Sequence, residues 1–323
     1  MYIGESISIG VAIMWAITAL CFEYAGKRIG AIPINFIRML LCLLLGALLL
    51  VVITGNPFPI EASKEAWFWL SVSGFIGFVL GDFCLFYAYV ILGSRFGQLF
   101  MTLAPIAAAI TGRIVLGEKM AALAWLGMLI TITGIAISIL NKNKKTDNLD
   151  KLKIKNSSNF RFSIKLPLKG VLYGVGAGLG QGIGLVFSKY GMNIYTEDLI
   201  KAGKEVTFMV PFAASQMRTV IAVISFLIIL LMTHNIQGVK NCVKDWKASL
   251  AVTMGAIIGP FLGVSLSLMA LQYTESGIAQ TIMSTSPILL IIPAFFIFKQ
   301  RVRFVEIIGA IISVFGASLF FLV

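Results

Sequence analysis

An acid inside an apolar run is the feature of this sequence best able to do chemistry. Asp82 stands in the stretch Gly77-Phe78-Val79-Leu80-Gly81-Asp82-Phe83. A carboxylate is costly in such surroundings, and where one persists it usually faces a cavity or a partner and marks an ion or substrate path. At helical spacing it shares a face with Phe75, Phe78, Phe86 and Tyr89. Acid and rings together could bind a cation or cycle a proton; bonding a neighbouring helix is the structural alternative.

Two prolines stand at matched places in later apolar runs. Pro105 and Pro287 lack an N–H and press their rings on the preceding turn, freeing carbonyls near Met101 and Met283. Freed carbonyls are tolerated at membrane depth where they line a polar cavity. Thr102 beside the first proline, and Ser284, Thr285 and Ser286 beside the second, offer hydroxyls at that depth. Gln98 and Gln280, near the starts of the same runs, could hydrogen-bond a solute or only a facing loop. Gln181 is a polar contact within a glycine-dense run, and Trp15 either stacks on a solute or fills a groove. Arg38 and Arg218 lie near the starts of their runs, where long stems let them reach head groups; gating ion pairs are the alternative. Glu23, just before Lys27 and Arg28, reads as half of an interfacial ion pair. Glu118 reads as a carboxylate at the positive end of the helix that follows it.

What is missing narrows the chemistry. No glycine-rich loop ending in Lys-Ser/Thr is present, so nothing points to nucleotide hydrolysis. The one histidine, His234, has no His-Glu pattern beside it, and Cys21, Cys42, Cys84 and Cys242 lack metal-ligand spacing. No cluster of acids, bases or metal ligands suits a membrane-embedded hydrolase or transferase. No cofactor and no metal are expected.

Helices in lipid must position these residues. Hydrophobic residues make up 59% of the 323, charged ones 12%, and the mean hydropathy is +0.95, beyond what a soluble domain shows. A bilayer core about 30 Å thick needs roughly 20 apolar residues per helix. Ten such runs occur, at 6–25, 32–54, 67–92, 95–116, 120–140, 169–190, 208–232, 248–272, 276–298 and 302–322. The first has no basic leader, carries Glu5 and is followed at once by another run, so it reads as retained rather than as a cleaved signal. In 169–190, glycines at 170, 174, 178 and 182 and at 176, 180 and 184 form two ridges on roughly opposite faces.

Residues 77–138 overlay 259–320 at a constant offset of 182. Gly77, Gly81, Gln98, Met101, Pro105, Gly127 and Gly134 fall on Gly259, Gly263, Gln280, Met283, Pro287, Gly309 and Gly316, and Arg38 corresponds to Arg218 at an offset of 180. Five crossings per half place the second copy upside down relative to the first, with a binding region between the halves near the midplane. The expected fold is an all-α integral membrane protein, ten transmembrane helices as two inverted five-helix repeats. The run from Pro105-Ile106 to Leu116-Gly117-Glu118, the glycine-bearing helix after it, and Pro287 with Gly309 and Gly316 resemble the drug/metabolite transporter superfamily with two EamA-type domains. The resemblance implies repeats over 1–140 and 169–323 around a basic polar linker, 141–168. One departure is Gln300, where the second half would repeat Glu118.

Loops reached after odd-numbered runs hold eighteen Lys and Arg against six on the other side, which by the positive-inside rule makes the linker cytoplasmic and the termini external. The resemblance implies cytoplasmic termini instead. The formal charge of +12 thus reads as a topology signal rather than as nucleic-acid binding. The expected partners are a small-molecule solute and membrane lipids, with no nucleic acid and no obligatory protein partner. The expected function is a secondary transporter, an exporter or exchanger of a small polar or amphipathic metabolite such as an amino acid or drug, with possible proton coupling. A lipid or lipid-linked sugar flippase is the alternative, and a membrane-embedded enzyme a more distant one. Basic groups lying toward helix ends argue against multiply anionic solutes. The expected location is a plasma membrane of bacterial type.

Overall fold

In lipid, backbone polar groups have no water to turn to, and a helix satisfies them within its own segment. The computed structural model describes residues 2–92, 100–140, 167–289 and 304–319, and among these it contains helices and turns and no strand. In chain order the elements are α1 (Ile3–Ile29), α2 (Ala31–Thr54), α3 (Lys64–Gly74), a first π-helix (Phe75–Gly81), α4 (Asp82–Leu92), α5 (Leu103–Val115) and α6 (Ala122–Leu140). The second half follows with α7 (Leu168–Lys201), α8 (Val210–Met232), α9 (Ile236–Lys244), α10 (Trp246–Ala256), a second π-helix (Ile257–Gly263), α11 (Val264–Ala270), α12 (Ser276–Met283), α13 (Ser286–Leu289) and α14 (Phe304–Ser318).

Among the described residues, six helical stretches are long and apolar enough to cross a membrane: Ile3–Gly26, Ala31–Thr54, Lys64–Ala88, Leu168–Lys201, Val210–Met232 and Trp246–Ala270. Leu103–Val115, Ala122–Ile137 and Ile307–Ser318 are shorter apolar helices. Each expected run contains helix; residues 93–99, 141–166 and 290–303, with Gln98 and Gln300 among them, lie outside the described residues. Leu44, Leu48 and Val52 on α2, Ile228 on α8 and Ile311 on α14 are exposed, an apolar outer face suited to acyl chains. The run expected at 169–190 continues to Lys201, in a helix of 34 residues.

The two halves face each other about a pseudo-twofold relation. On α6 and α14, Gly134 lies against Ser313 and the Gly309 carbonyl, while Gly316 lies against Thr131 and the Gly127 carbonyl. Thr131 and Ser313 are repeat equivalents, and the Ser313 hydroxyl donates to the Thr131 carbonyl at 3.1 Å. Early residues of one helix meet late residues of the other, so these equivalent helices run antiparallel. The pair α2 and α8 repeats the pattern, with Gly46 against Gln216 and the Cys42 sulfur 3.7 Å from the Thr219 hydroxyl.

Each half's first helix crosses to the other half's π-helix. In one crossing Gln181 lies at Gly81, Gly184 at Gly77 and Ser188 at Ser73, where the two serine hydroxyls are 2.5 Å apart. In the other, Trp15 lies at Gly263, Thr18 at Gly259 and Phe22 at Gly255. Both π-helices occupy the same seven repeat positions. Pro260 in the second supplies no N–H, a recognised local cause of a disturbed helical ladder. Phe78 stands at that position in the first half, where glycines at 77 and 81 let α7 approach closely.

The two glycine ridges of α7 act as their spacing suggests. Gly174, Gly178 and Gly182 face Phe100, Leu103 and Ala104, whereas Gly176, Gly180 and Gly184 face Cys84, Gly81 and Gly77. A Cβ at Gly184 would stand 2.8 Å from both the Cα and the N of Gly77, backbone atoms that cannot turn aside. Gly184→Val is therefore expected to cost about 1–3 kcal/mol through overpacking. Gly10→Ala, at a helical site with nothing within 4 Å, is expected to be neutral or slightly stabilising. Thermal unfolding of the two variants in detergent checks the contrast.

Candidate functional site

The first π-helix delivers Asp82 to the middle of the bundle. Its widened turn is closed by the Asp82 N–H donating to the Gly77 carbonyl, five residues back, and the Gln181 amide reaches the same carbonyl from α7 at 3.1 Å. That amide also donates to Asp82 Oδ1 at 2.7 Å. The other carboxylate oxygen accepts from Arg38 Nη2 of α2. Arg38 Nε is held at 2.8 Å by Asn35 Oδ1, itself anchored by its amide on the Ala31 carbonyl. The Arg38 guanidinium carbon lies 5.4 Å from the ring centroid of Phe22 and 5.3 Å from that of Phe86. Arg218 of α8 lies 4.4 Å from the Phe78 ring and within electrostatic reach of Asp82.

Arg38 and Arg218 are 8% and 3% exposed, which corrects the expectation that they reach out to head groups. By a rise of 1.5 Å per residue they lie about 7 Å and about 4.5 Å from the midpoints of their helices, and both guanidiniums turn inward. The premise that basic groups lie toward helix ends is corrected with them. Phe78 and Phe86 join the cluster as expected, but Phe75 is 43% exposed on the outside. The π-helix intervenes between Phe75 and Asp82, so the 3.6-residue count does not carry across it. The side chains of Tyr89 and Glu23 lie outside the described residues, as does Gln98.

The remaining candidates form a second group. Thr102, Pro105, Gln280, Ser284 and Ser286 are buried, and Gln280 Oε1 has no hydrogen-bond partner among the described residues. Helix α12 stops at Met283 and α13 resumes at Ser286, the break that Pro287 requires; its side chain lies outside the described residues. The Ile282 carbonyl is taken up by the Thr285 N–H at 3.1 Å and its hydroxyl at 2.7 Å. Met101, one turn before Pro105, accepts from the Ala104 N–H at 3.0 Å. Trp15 is half-buried against the main apolar core.

Several contacts at the bundle's ends were not legible in spacing. Glu118 stands in the loop before α6 and not at that helix's start: Oε1 accepts from Lys189 at 2.7 Å and from the Ser276 hydroxyl at 2.9 Å, and Oε2 accepts from the Ser276 N–H at 3.0 Å. It thus serves the positive end of α12 rather than that of α6, a correction whose one available signal was the Gly117 turn (φ +69°) before it. At the same end Asp198 accepts from the Ser63 N–H at 2.8 Å, and Lys204 pairs with Glu61. At the opposite end of α2, Arg28 pairs with Asp245. Ser63 and Asp245 are repeat equivalents that cap α3 and α10. The Arg28 hydrogen bond, then the helix N–H groups, hold the Asp245 carboxyl below its usual range. Near this end a pocket of about 180 Å³ is lined by Gly30, Ala31, Ile32, Pro33, Phe86, Tyr87 and Asn235. Phe86 is thus common to the pocket wall and the Arg38 environment.

Comparison with known proteins follows the two halves. A model of the EamA-like transporter family matches residues 2–140 and 168–322. No curated protein sequence matches. A crystal structure of another protein superposes with a TM-score of 0.69 at 13% identity, over 99% of this chain and 96% of that one; at that identity it shows the fold alone.

Removing one member of a buried ion pair leaves an uncompensated charge, typically at a cost of about 3–5 kcal/mol. Arg38→Met and Asp82→Leu are each expected to destabilise the chain strongly. The double variant is expected to lose less than the sum of the two, because no isolated charge from this pair then remains. Urea or thermal unfolding in one detergent compares the three.

Proposed function

We propose, on the premise that this chain belongs to the EamA-like transporter family, that it is a secondary transporter exporting or exchanging a small polar or amphipathic metabolite by alternating access. Membership makes it an integral, multi-pass membrane protein that moves small molecules and is not an enzyme. The finer reading is of ten crossings arranged as inverted repeats, 1–140 and 169–323 around the linker 141–168, in a plasma membrane of bacterial type. The antiparallel pairing of equivalent helices supports the inversion.

The observation that carries this reading is the inward-facing set of buried Arg38, Asp82 and Arg218 with half-buried Gln181, contributed by both halves. Charges at the centre of a membrane bundle are expensive and generally serve passage, and apolar residues of similar volume often stabilise as well as a buried pair does. Proton arrival at Asp82 would remove the charge that holds Arg38 and loosen α2 from α4. The end contacts are the candidate gates: Glu118, Asp198 and Glu61 tie one end and Arg28–Asp245 the other, and alternating access requires one set to open while the other holds. The repeat equivalent of Glu118 is the uncharged Gln300, and the pocket lies at the end that Arg28–Asp245 ties.

The pH dependence separates the end contacts from the centre. A carboxyl held low, as Asp245 is, contributes above its unfolded pKa of about 3.9 and stops contributing as pH falls through its lower folded value. The Arg28–Asp245 contact therefore persists throughout pH 5–8 and is not the source of pH-dependent flux in that range, which leaves Asp82 as the candidate to be tested. In liposomes, a flux screen over amino acids, amines and drugs is expected to find a transported solute whose uptake varies with pH. Asp82→Asn is expected to reduce that flux at least tenfold or to abolish its pH response. Unchanged flux and pH response rule out Asp82 coupling, and scrambling of a lipid or lipid-linked sugar without solute flux replaces the transporter by a flippase. A second expectation is that Glu118→Gln loosens the end it ties, measured as faster labelling of a cysteine introduced at Leu199.

A further inference from the structure

Arg218 is the cation that the central ion pair leaves over. Asp82 is engaged by Arg38 and Gln181, so among the described side chains of this cluster two buried guanidiniums stand against one carboxylate. Arg218 is 97% buried, and its Nε and Nη1, both shut off from solvent, have no hydrogen-bond partner among the described residues. Its one face rests on the Phe78 ring, and Nη2 lies beside Gly77, 3.2 Å from where a Cβ would stand. Nearby Cys42 is directed to the Thr219 hydroxyl. Buried polar groups are overwhelmingly hydrogen-bonded, and charged donors are the most costly to leave unmet.

We propose that Arg218 anchors the carboxylate of the transported solute, which makes the substrate class organic monoacids with an apolar or aromatic body. The proposal rests on the transporter reading and narrows it. A guanidinium offers planar, directed donors that suit a carboxylate, and Nε and Nη1 retain theirs. One negative charge brings the set Arg38, Asp82 and Arg218 to neutrality. A phosphate dianion would exceed it and leave a charge unpaired where the dielectric is low. Phe22, Phe78 and Phe86 surround the two guanidiniums, so the body of such an acid meets rings rather than further charges.

The test uses the purified full-length chain in detergent and a series of acids from acetate to 3-phenylpropionate, one amino acid included, each paired with its neutral amide. The acids, most strongly 3-phenylpropionate, are expected to raise the thermal midpoint, and the amides are not. Arg218→Gln is expected to weaken acid binding at least tenfold, with Arg218→Lys retaining part of it. Equal shifts by acid and amide, no shift by any acid, an equal shift by chloride alone, or full acid affinity in Arg218→Gln overturns the proposal. If Arg218→Gln does not fold, the acid, amide and chloride comparison on the unaltered chain decides. Liposome flux separates the two readings. Acids that bind through Arg218 but are not carried leave the anchor standing and remove the transporter, whereas flux of amines untouched by Arg218→Gln keeps the transporter and removes the anchor.

Discussion

A carboxylate deep in an apolar bundle must meet a cation or lose its charge, and Asp82 meets Arg38. That single pairing fixes much else. It requires α2 and α4 to lie side by side with their polar groups at one level, and it leaves the second carboxylate oxygen for Gln181 of α7. Three helices from the two halves are thereby tied at one point. Arg38 in turn has its Nε met by Asn35 at 2.8 Å and lies against the rings of Phe22 and Phe86.

The π-helix makes this geometry available. A straight α-helix through 64–92 would close its turns four residues back and offer no spare carbonyl. The widened turn gives the Gly77 carbonyl to both the Asp82 N–H and the Gln181 amide. Glycines at 77 and 81 then let the α7 backbone come close enough for a short amide side chain to reach. The second half keeps the π-helix and the glycines but sets Trp15 where the first has Gln181, and Val264 where it has Asp82. The scaffold is symmetric and the chemistry is not, so the charged work falls on one side of the pseudo-twofold relation.

Symmetry also organises the ends. Ser63 and Asp245 are equivalent helix caps, and each is held by a group from a first helix of the opposite half: Asp198 of α7 for one, Arg28 of α1 for the other. Among the described residues, Glu118, Lys189 and Ser276 add a further tie at one of the two ends.

The sequence by itself determined the membrane environment, the two halves and the depth of Asp82, because apolar run length and a constant offset of glycines and prolines are properties of the chain alone. It also determined the two faces of α7, since an i+4 spacing survives in a regular helix. Phe75 marks where this stops: the periodicity put it beside Asp82, and a π-helix that leaves no mark in residue spacing turned it outward. Arg38 and Arg218 mark the other limit. Their distance from a run's start was compatible with snorkelling, and only the packing of α2 against α8, with the first π-helix and Asp82 beside them, shows that both guanidiniums turn inward. Glu118 found its helix in the other half. Which charge meets which is a long-range choice, set by how helices far apart in the chain are brought together, and that was decided by tertiary structure alone.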